Sequence, residues 1–453
     1  MNKIFLGLVS ALLCIAGCKS DNVTNEPVTV TQEQLKEAFY YTFPLVLMDE
    51  TMSTETNVVE WIPGGVRAPI NQLNHASKLA TADSKWVVTP NVDTYYSRLW
   101  MDLSKEPLVL EFPNVTDRFC NIQVLDAWTN TCKVIYSGGT YVFALQGQKV
   151  NTPAGATLVE LPTSMAWAIV RILNKGEGDY ANVKQIQDAM KAYPLSAYNK
   201  GNYQPSKGTY DPSKDTNPVQ RTLALSLEDY FAKANALMQK NAPLSFDTEI
   251  SARLKMLGVG PGLTLKTIVG GKEMFAAIKA NFRAEAVQIA AANRKCIGDI
   301  WAYFADPIGN FGQAYDFRAA VALVGLGANT TDVAIYPRAN NGSDGVALNG
   351  KNTYVMHFSS LPPVMELGFW SVTAYGEDNY LIANPINRYN VTDRSAYTLN
   401  PDGSLDITLS ATAPKDGTYW LPTGDKEYHL FMRLYLPNLQ ALDSWTPPTI
   451  TKK

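Results

Sequence analysis

The segment Pro90-Asn91-Val92-Asp93-Thr94-Tyr95-Tyr96 places an amide, a carboxyl group and phenols close together. In an extended segment, residues two apart project to the same face, so Asn91 and Asp93 would point the same way. Asp93 could then act as a general base or accept a ligand hydroxyl, while Asn91 orients the ligand and Tyr96 helps to bind it. The alternative is an Asx turn after Pro90, in which both side chains cap backbone N–H groups.

A second group of polar residues follows at Asp117-Arg118, Gln123, Asp126 and Asn130. Gln123 and Asp126 fall on opposite faces of a regular strand, so only one points inward unless a bulge intervenes. If Asp93 and Asp126 converge, they could perform acid–base catalysis on a glycosidic bond. A carboxyl separation of about 5–5.5 Å predicts retention, and about 6.5–9.5 Å predicts inversion. Arg118 would then orient the ligand and Asn130 would help to bind it; the alternative is separate structural Asp–Arg pairs.

The C-terminal half contributes aromatic and polar residues that could complete such a site: Trp370, Asn387, Arg388, Tyr389, Trp420, Arg433 and Tyr435. Tyr and Trp rings stack on sugar rings or apolar ligands, while Arg and Asn donate hydrogen bonds to hydroxyls and carboxylates. We predict ligand binding by four of them: Trp370, Asn387, Arg388 and Arg433. The alternative is that the aromatics pack the sheets and Arg side chains hold loop carbonyls. An Arg inside an apolar strand still needs an acceptor.

The composition excludes several classes of protein. The 453 residues include 39 Lys plus Arg against 42 Asp plus Glu, and a net charge of −3 argues against nucleic-acid binding, which needs a concentrated positive field. The sequence has no His-Glu-x-x-His, Gly-x-Ser-x-Gly, P-loop or Cys-x-x-Cys motif, and we predict no cofactor. His75, His357 and His429 lack the spacing of metal ligands, so we predict no metal site unless at least two of them meet.

The N-terminus has the features of an export signal. A lysine at position 3 precedes an apolar run from Ile4 to Ala16, which is too short to span a hydrocarbon core of about 30 Å. The ending Ile15-Ala16-Gly17-Cys18 resembles a bacterial lipobox, which implies removal of residues 1–17, lipidation of Cys18 and a tether over residues 18–30. We predict a bacterial cell-envelope lipoprotein, anchored to a lipid bilayer at the outer membrane or the periplasmic face. The alternative is an ordinary cleaved signal peptide.

Three cysteines remain after the leader and Cys18 are set aside: Cys120, Cys132 and Cys296. In a hairpin that turns near Thr129-Asn130, Cys120 would lie roughly 20 Å from the position opposite Cys132, at ~3.3 Å per residue. A disulfide needs Cα atoms within about 7 Å. We therefore predict buried free thiols.

The candidate residues must be positioned by elements whose patterns change along the chain. Thr31-Gln32-Glu33-Gln34 has the form of a capping box that begins a helix, which Pro44 is expected to kink or end. Short apolar runs with turns follow, then helical spacing, then strands again. We predict an α+β fold with two β-rich, antiparallel sandwich-like domains and a helical middle segment. The predicted bounds are 31–173, 174–327 and 328–448.

Several of these segments resemble a known pair of bacterial domains. Residues 37–45, 71–75, 90–97 and 126–130 resemble the N-terminal domain of unknown function 1254. Its usual C-terminal companion, the domain of unknown function 1214, is resembled by residues 354–358, 369–373, 384–389, 420–422 and 433–435. The resemblance covers roughly residues 35 to 448 and implies a two-part β-rich fold with a helical portion, but no reaction. Cys120 stands where an aromatic residue is expected, so no thiol chemistry is implied there.

The sequence therefore supports two hypotheses from different classes. The first is a cell-envelope lipoprotein that binds, and could hydrolyse or modify, a small or carbohydrate-like ligand in a polar–aromatic pocket. In that case Asn91, Asp93, Asp126 and Arg388 should share a cavity. The second is a non-catalytic envelope binding or assembly module, which could be homo-oligomeric and would expose apolar patches at a subunit contact.

Overall fold

The computed structural model describes residues 27–85 and 88–453, and the predicted leader with Cys18 lies outside these ranges. Helix α1, Gln32–Glu55, begins with the predicted capping box: Gln34 N donates to Thr31 Oγ1 at 3.2 Å, and Thr31 N donates to Gln34 Oε1 at 2.9 Å. Pro44 does not end the helix, and residues 38–48 are all buried. Packing around this stretch offsets the backbone hydrogen bond that proline removes.

The N-terminal domain is a pair of β-sheets. Its strands are β1 (Leu73–His75), β2 (Thr94–Asp102), β3 (Leu108–Phe112), β4 (Cys120–Asp126), β5 (Thr131–Ile135), β6 (Gly139–Leu145), β7 (Thr157–Leu161), β8 (Met165–Leu173) and β9 (Lys191–Pro194), and helix α2 is Tyr180–Ala189. The first sheet has the antiparallel order β1-β2-β8-β4-β5, and the second has the order β7-β6-β3-β9 with β6 and β7 parallel. Leu99, Val124 and Val170 project from one face of the first sheet into the core shared with the second sheet.

The opposite face of the first sheet changes character along its length. At one end, the rings of Trp100 and Trp167 stack with centroids 4.5 Å apart and pack with Leu125 against α1 and its neighbours. At the other end the same face carries polar side chains. Because side chains alternate along a strand, both sets lie on one side of the sheet.

A helical layer covers the apolar end of this face. It contains α1 together with α3 (Pro218–Ala224), α4 (Leu227–Lys240), α5 (Thr248–Lys255), α6 (Gly271–Ala292) and α7 (Tyr315–Gly325). Short 3-10 turns occupy Leu195–Ala197 and Pro212–Asp215. At its centre the ring of Phe39 lies 5.2 Å from Tyr230 and 5.0 Å from Phe282. Within the described ranges, no helix has both the length and the apolar character needed to cross a membrane.

The C-terminal domain is a second pair of sheets. Its elements are β10 (Arg294–Ile297), β11 (Trp301–Phe304), β12 (Ala334–Ile335), β13 (Arg338–Ala339), β14 (Tyr354–Phe358), β15 (Val364–Gly376), β16 (Asn390–Thr392), β17 (Leu405–Ser410), β18 (Trp420–Pro422), β19 (Tyr428–Pro437), α8 (Leu439–Leu442) and β20 (Thr449–Lys452). One sheet has the order β10-β11-β13-β19-β15-β16, with β12 also paired to β19, and the other has the order β18-β17-β14-β20. The stretch predicted as helical therefore also holds β10 and β11. The α+β class with β-rich domains is confirmed.

The three cysteines of the described chain are free thiols. Cys120 is buried, whereas Cys132 and Cys296 are exposed, so the prediction of burial is wrong for those two. Cys132 falls at a register shift, since Val124 pairs with Lys133 but Leu125 pairs with Thr131. The extra residue of such a bulge is left out of the ladder, which explains its exposure.

Candidate functional site

The polar end of the first sheet carries a row of side chains across three adjacent strands. Tyr96 on β2 pairs with Arg171 on β8, which pairs with Asn121 on β4. Tyr136 stands beside Asn121, because the preceding pair is Ile122 with Ile135, and it is 38% exposed. Residues paired across strands have Cβ atoms about 4.5–5.5 Å apart, so these side chains can act on one ligand. The row leads from an exposed phenol to the buried guanidinium of Arg171.

Elements from the C-terminal side cover this row. Asn91 Nδ2 donates to Tyr435 Oη at 2.9 Å and to Tyr96 Oη at 3.3 Å, which joins a phenol of each domain. Asn329 Nδ2 donates to Tyr336 Oη at 2.7 Å. β12 ends just before Tyr336 and pairs with β19, which places Tyr336 near Tyr435, with ring centroids 6.1 Å apart. We call the set Tyr96, Asn121, Arg171, Asn329, Tyr336 and Tyr435 the interdomain site.

Several buried polar atoms of the interdomain site have no hydrogen-bond partner. They are Nε of Arg171, Nδ2 and Oδ1 of Asn121, and Oδ1 of Asn329. Arg171 does donate from Nη1 to Gln123 Oε1 at 2.9 Å and from Nη2 to the carbonyl oxygen of Gly327 at 3.3 Å. Among the described residues, none supplies it with a carboxylate at ion-pair distance. Buried polar groups are normally partnered, so these atoms mark a place where a ligand or water completes the structure.

Burial and neighbouring ionisable groups shift the pKa values of the residues in the interdomain site. Burial opposes the charge on Arg171, but the phenols of Tyr96, Tyr336 and Tyr435 offset this effect and the pKa of Arg171 is raised. Burial also opposes ionisation of Tyr96, yet the Arg171 guanidinium and hydrogen bonds from Thr94 and Asn91 lower its pKa. Burial and neighbouring phenols raise the pKa of Tyr435 well above its usual range. The site therefore contains one cation and one unusually acidic phenol.

Asp93 lies beside this site in a network whose polar atoms are partnered. Its Oδ2 accepts a hydrogen bond from Ser371 Oγ at 2.6 Å, and its Oδ1 accepts one from Asn390 Nδ2 at 2.8 Å. Arg394 Nη2 is 3.5 Å from Oδ1. The backbone N–H of Asp93 donates to Asn91 Oδ1 at 2.6 Å, which is the Asx turn considered above for Asn91. Asp93 thus binds the C-terminal domain directly through both of its carboxylate oxygens.

Arg433 clamps the same segment from the C-terminal domain. Its Nη2 donates to Tyr375 Oη at 2.6 Å and to the Thr89 carbonyl oxygen at 3.1 Å, and its Nη1 donates to Thr373 Oγ1 at 2.9 Å. Tyr375 Oη in turn donates to the Pro90 carbonyl oxygen at 2.7 Å. The acceptors that an Arg in an apolar strand requires are therefore two hydroxyls of the neighbouring strand β15 and one backbone carbonyl of the segment before β2. These contacts and those of Asp93 form the part of the interface between the domains in which both charged groups have partners.

Asp126 lies at the far end of the first sheet. It pairs with Ala166 on β8, whereas the Asp93 carbonyl oxygen accepts from the backbone of Asn174 at 2.9 Å. Eight residues of strand separate these points, roughly 26 Å at ~3.3 Å per residue. Asp126 Oδ1 accepts from the backbone N–H groups of Trp128 and Asn130 at 2.8 and 2.9 Å, and burial raises its pKa to about 6. The two carboxylates therefore do not converge. Asp126 and Asn130 instead belong to a turn that these backbone hydrogen bonds close.

The other candidates are also placed away from the interdomain site. Arg118 forms ion pairs with Asp179 at 2.5 Å and Asp117 at 3.1 Å. Trp370 is 2% exposed and faces the core between the C-terminal sheets, because it alternates along β15 with Ser371, which faces Asp93.

The remaining two candidates belong to a loop of the C-terminal domain. Arg388 Nη1 donates to the Trp420 carbonyl oxygen at 2.8 Å, and its guanidinium lies 4.4 Å from the ring centroid of Tyr419. Asn387 is exposed, in a left-handed conformation with φ of 49°. Trp370 and Arg388 therefore do not complete one site with Asp93, contrary to the expectation from the sequence.

The residues that sequence reasoning missed are Arg171, Asn121, Asn329 and Tyr336. One signal for Arg171 was present in the sequence, since it is the charged residue of the otherwise apolar strand Met165–Leu173. A charge in such a strand needs a partner or a role. Nothing comparable distinguishes Asn121 or Asn329 among the other asparagines.

The histidines do not form a metal site. His75, His357 and His429 lie on strands of three different sheets. His357 Nδ1 pairs with Asp406 Oδ1 at 2.7 Å, and His75 Nδ1 lies 2.7 Å from Ser97 Oγ. Across the part of the chain that the structure describes, no group of three or more His, Cys, Asp or Glu side chains could hold a metal ion.

Two surface clefts lie outside the interdomain site. One of about 400 Å³ is lined by helical residues that include Tyr41, Leu254 and Val259. The other, of about 640 Å³, lies beside Glu106 and Leu195. Neither is lined by a residue of the interdomain site, and Ser251 of the first cleft contributes a single unpartnered hydroxyl, so we base the functional argument on the chemistry of the interdomain site.

Two family models match segments of the chain. The family described as "Protein of unknown function (DUF1254)" matches residues 70–194, and "Protein of unknown function (DUF1214)" matches residues 333–439. No curated protein matches the chain. The crystal structure of the VPA0106 protein from Vibrio parahaemolyticus is 22% identical, covers 93% of this chain and 99% of that chain, and has a TM-score of 0.68. This likeness shows a shared fold alone.

A second solved structure, of an uncharacterized protein from Burkholderia cenocepacia, is 13% identical. It covers 93% of this chain and 92% of that chain with a TM-score of 0.44.

Proposed function

Because the chain belongs to the two-domain family that joins DUF1254 to DUF1214, and neither description states an activity, we propose a function from the interdomain site itself. The protein binds a small, polar, carbohydrate-like ligand between its two β-rich domains. Residues of both matched segments take part, since Asn121 and Arg171 lie in the first and Tyr336 and Tyr435 lie in the second. A site assembled from both segments gives a reason for the two to occur in one chain.

The observation that carries the proposal is a contrast within one interface. The carboxylate of Asp93 and the guanidinium of Arg433 are themselves partnered, which is how a structural contact is built. Around Arg171 and Asn121, polar atoms of comparable burial are left unpartnered. Leaving a buried donor unpaired costs about 1–3 kcal/mol. Replacing such a group would stabilise the fold, so its presence indicates a role other than stability.

The proposal is for binding. Hydrolysis of a glycosidic bond by Asp93 and Asp126 would require carboxylates within about 10 Å of each other. Their positions at opposite ends of β8 do not support that reaction.

Calorimetric titration tests the proposal with a panel of neutral sugars, sugar acids and hydroxy acids on the mature chain. We expect binding of at least one member by wild type and its loss in Arg171→Met. Arg388→Met is the matched control, since it removes an equally long cation outside the interdomain site and should leave the affinity unchanged. Equal binding by wild type and Arg171→Met would refute the assignment of the site.

The assembly hypothesis retains one supporting observation. Ile62 and Val66, in the loop after α1, are 64% and 65% exposed. Exposed apolar residues that cluster can mark a subunit contact. Under this second proposal, the mature protein is oligomeric by light scattering and Ile62→Asp makes it monomeric; a monomeric wild type would contradict it.

We also propose that the protein is held at the cell envelope by a lipid on Cys18. The support is the lipobox-like sequence Ile15-Ala16-Gly17-Cys18 and the polar stretch that follows it. Labelled fatty acid should be incorporated by the full-length chain and should not be incorporated by Cys18→Ala. Equal labelling of wild type and Cys18→Ala would contradict the proposal.

A further inference from the structure

We infer that the ligand of the interdomain site is a hydroxy acid, a sugar acid being one example, whose carboxylate is bound by Arg171 and Asn121. The inference rests on the proposed function and adds the chemical class of the ligand. It starts from the charge of Arg171, which is 5% exposed as a residue and meets no carboxylate in the described chain. A buried guanidinium without a carboxylate needs another source of negative charge, and within the fold the phenols of Tyr96, Tyr336 and Tyr435 are the groups that favour its charged form.

Other buried arginines of this chain show what compensation looks like. Arg118 is paired with Asp179 at 2.5 Å and Arg221 with Glu50 at 2.6 Å. Arg318, which is fully buried, also lacks an ion pair among the described residues, and its Nε and Nη1 are unpartnered, but the rings of Tyr41, Trp128 and Tyr315 surround it, with its guanidinium carbon 5.2–5.4 Å from their centroids. Arg171 has neither arrangement, since one ring, that of Tyr96, lies 5.7 Å away. An anionic ligand would supply the missing charge.

The unpartnered atoms specify more than an anion. Nε of Arg171 and Nδ2 of Asn121 are donors on adjacent strands at paired positions, which suits the two oxygens of a carboxylate. Oδ1 of Asn121 and Oδ1 of Asn329 are acceptors, and they need a ligand that also donates. A carboxylate cannot donate, so the ligand carries a second group that does, and a neutral hydroxyl suits a place beside a buried guanidinium better than a cationic ammonium. Carboxylate and hydroxyl together define a hydroxy acid.

The enclosure of the site limits the size of the ligand. Asn121 is fully buried and Arg171 nearly so, and Tyr336 and Tyr435 lie over the row from the C-terminal side. Tyr136 at the outer end of the row is 38% exposed, so this end of the row is the one nearest solvent. The burial of Asn121 and Arg171 favours a single hydroxy acid or one sugar-acid residue over an internal segment of a long polymer.

A phenolate at Tyr96 is the competing source of negative charge. Its hydroxyl is surrounded by donors, and the Arg171 guanidinium favours its ionised form. The variant Tyr96→Phe separates the two sources. If the ligand supplies the charge, Tyr96→Phe keeps affinity for an acid within about tenfold of wild type, as expected for loss of one hydrogen bond. If the phenolate supplies the charge, Tyr96→Phe frees the guanidinium, and a rise of more than about tenfold in affinity for the acid would argue against a ligand carboxylate as the partner of Arg171 in wild type.

The decisive experiment uses pairs of probes that differ in the carboxylate. Lactate with propane-1,2-diol and glucuronate with glucose each replace a carboxylate by a hydroxymethyl group and keep the neighbouring hydroxyl. We expect the acid of at least one pair to bind wild type about 100-fold more tightly than its alcohol, because truncating one side of a buried charge pair costs about 2–5 kcal/mol. Arg171→Met should lose this preference, and Arg171→Lys should retain part of it because it keeps the charge.

The outcomes distinguish this inference from the proposed function. Equal affinity for acid and alcohol, or acid binding unchanged in Arg171→Met, overturns the inference and leaves a ligand site in place. Failure of wild type to bind any member of the pairs or of the wider panel overturns both.

A crystal grown in bromide gives a test that does not depend on the identity of the ligand. An anomalous peak beside Nε of Arg171 in wild type, absent in Arg171→Met, supports an anion site. A wild-type crystal without that peak contradicts it.

Discussion

Replacing Arg171 with Met is expected to leave the free energy of unfolding within about 1 kcal/mol of wild type, or to raise it. This is unusual for a residue that is 5% exposed in the middle of a central strand. Met has similar length and no charge, so the change removes the guanidinium with little loss of packed volume. The prediction follows from regarding Arg171 as a ligand-binding residue rather than a structural one.

The magnitude comes from two opposing contributions. The variant loses the hydrogen bonds to Gln123 Oε1 at 2.9 Å and to the Gly327 carbonyl oxygen at 3.3 Å, each worth about 1.5–3 kcal/mol for a charged donor. It also removes the desolvation penalty of a buried ion without a carboxylate, which is several kcal/mol. The side chain of Gln123 keeps its bonds to Thr131 and Ala328. The two contributions are similar in size and opposite in sign.

Urea unfolding followed by tryptophan fluorescence measures the effect, with Arg118→Met as the matched control. Arg118 is equally buried but is paired with Asp179 at 2.5 Å, so its loss leaves an unpaired carboxylate and should cost about 3–5 kcal/mol. A loss of more than about 3 kcal/mol in Arg171→Met, equal to that of the control, would refute the reasoning. In that case the charge of Arg171 would be compensated within the fold.

Three further predictions concern other parts of the molecule. Asp93→Ala should lower the free energy of unfolding in urea by about 3 kcal/mol, because Ser371 and Asn390 lose a buried acceptor; a loss below about 1 kcal/mol would contradict its structural role. Burial lowers the pKa of His75 from 6.5 to about 4, so the unfolded chain takes up a proton first and stability is lost as pH falls through this window. His75→Gln should remove up to about 3 kcal/mol of that loss in unfolding curves across pH, and an unchanged slope would refute it. Burial raises the pKa of Asp126 from 3.8 to about 6, so the folded chain holds the extra proton and stability falls as pH rises from about 4 to about 6. Asp126→Asn should abolish this fall in the same measurement, and a fall equal to that of wild type would contradict the assignment.

Much of the secondary structure could be predicted because its signals are local. The capping box of Thr31 and Gln34 formed as expected, since its hydrogen bonds join residues three apart. Strand β3 lies at Leu108–Phe112 as the apolar run predicted. The helix continues past Pro44 for a long-range reason, because burial of α1 among other helices decides whether a proline is tolerated.

The candidate site was predicted only in part. Asn91, Tyr96 and Arg433 do lie at the contact between the domains, where Asn91 joins Tyr96 to Tyr435. The role of Asp93 changed, because its partners Ser371 and Asn390 are almost three hundred residues away in sequence. Trp370 shows what the sequence could not give. Alternation along β15 predicts that Trp370 and Ser371 point to opposite faces, but it does not say which of the two faces meets the N-terminal domain.

The sequence by itself determined the α+β class and the family, because periodicity and motifs are properties of short segments. Only the tertiary structure decided which polar residues meet. Strand order set Tyr96, Arg171 and Asn121 side by side, and the same order put Asp126 at the opposite end from Asp93. The fit between the two domains left Arg171 without a carboxylate while it supplied partners to Asp93. Such choices depend on contacts between distant segments, and no local pattern encodes them.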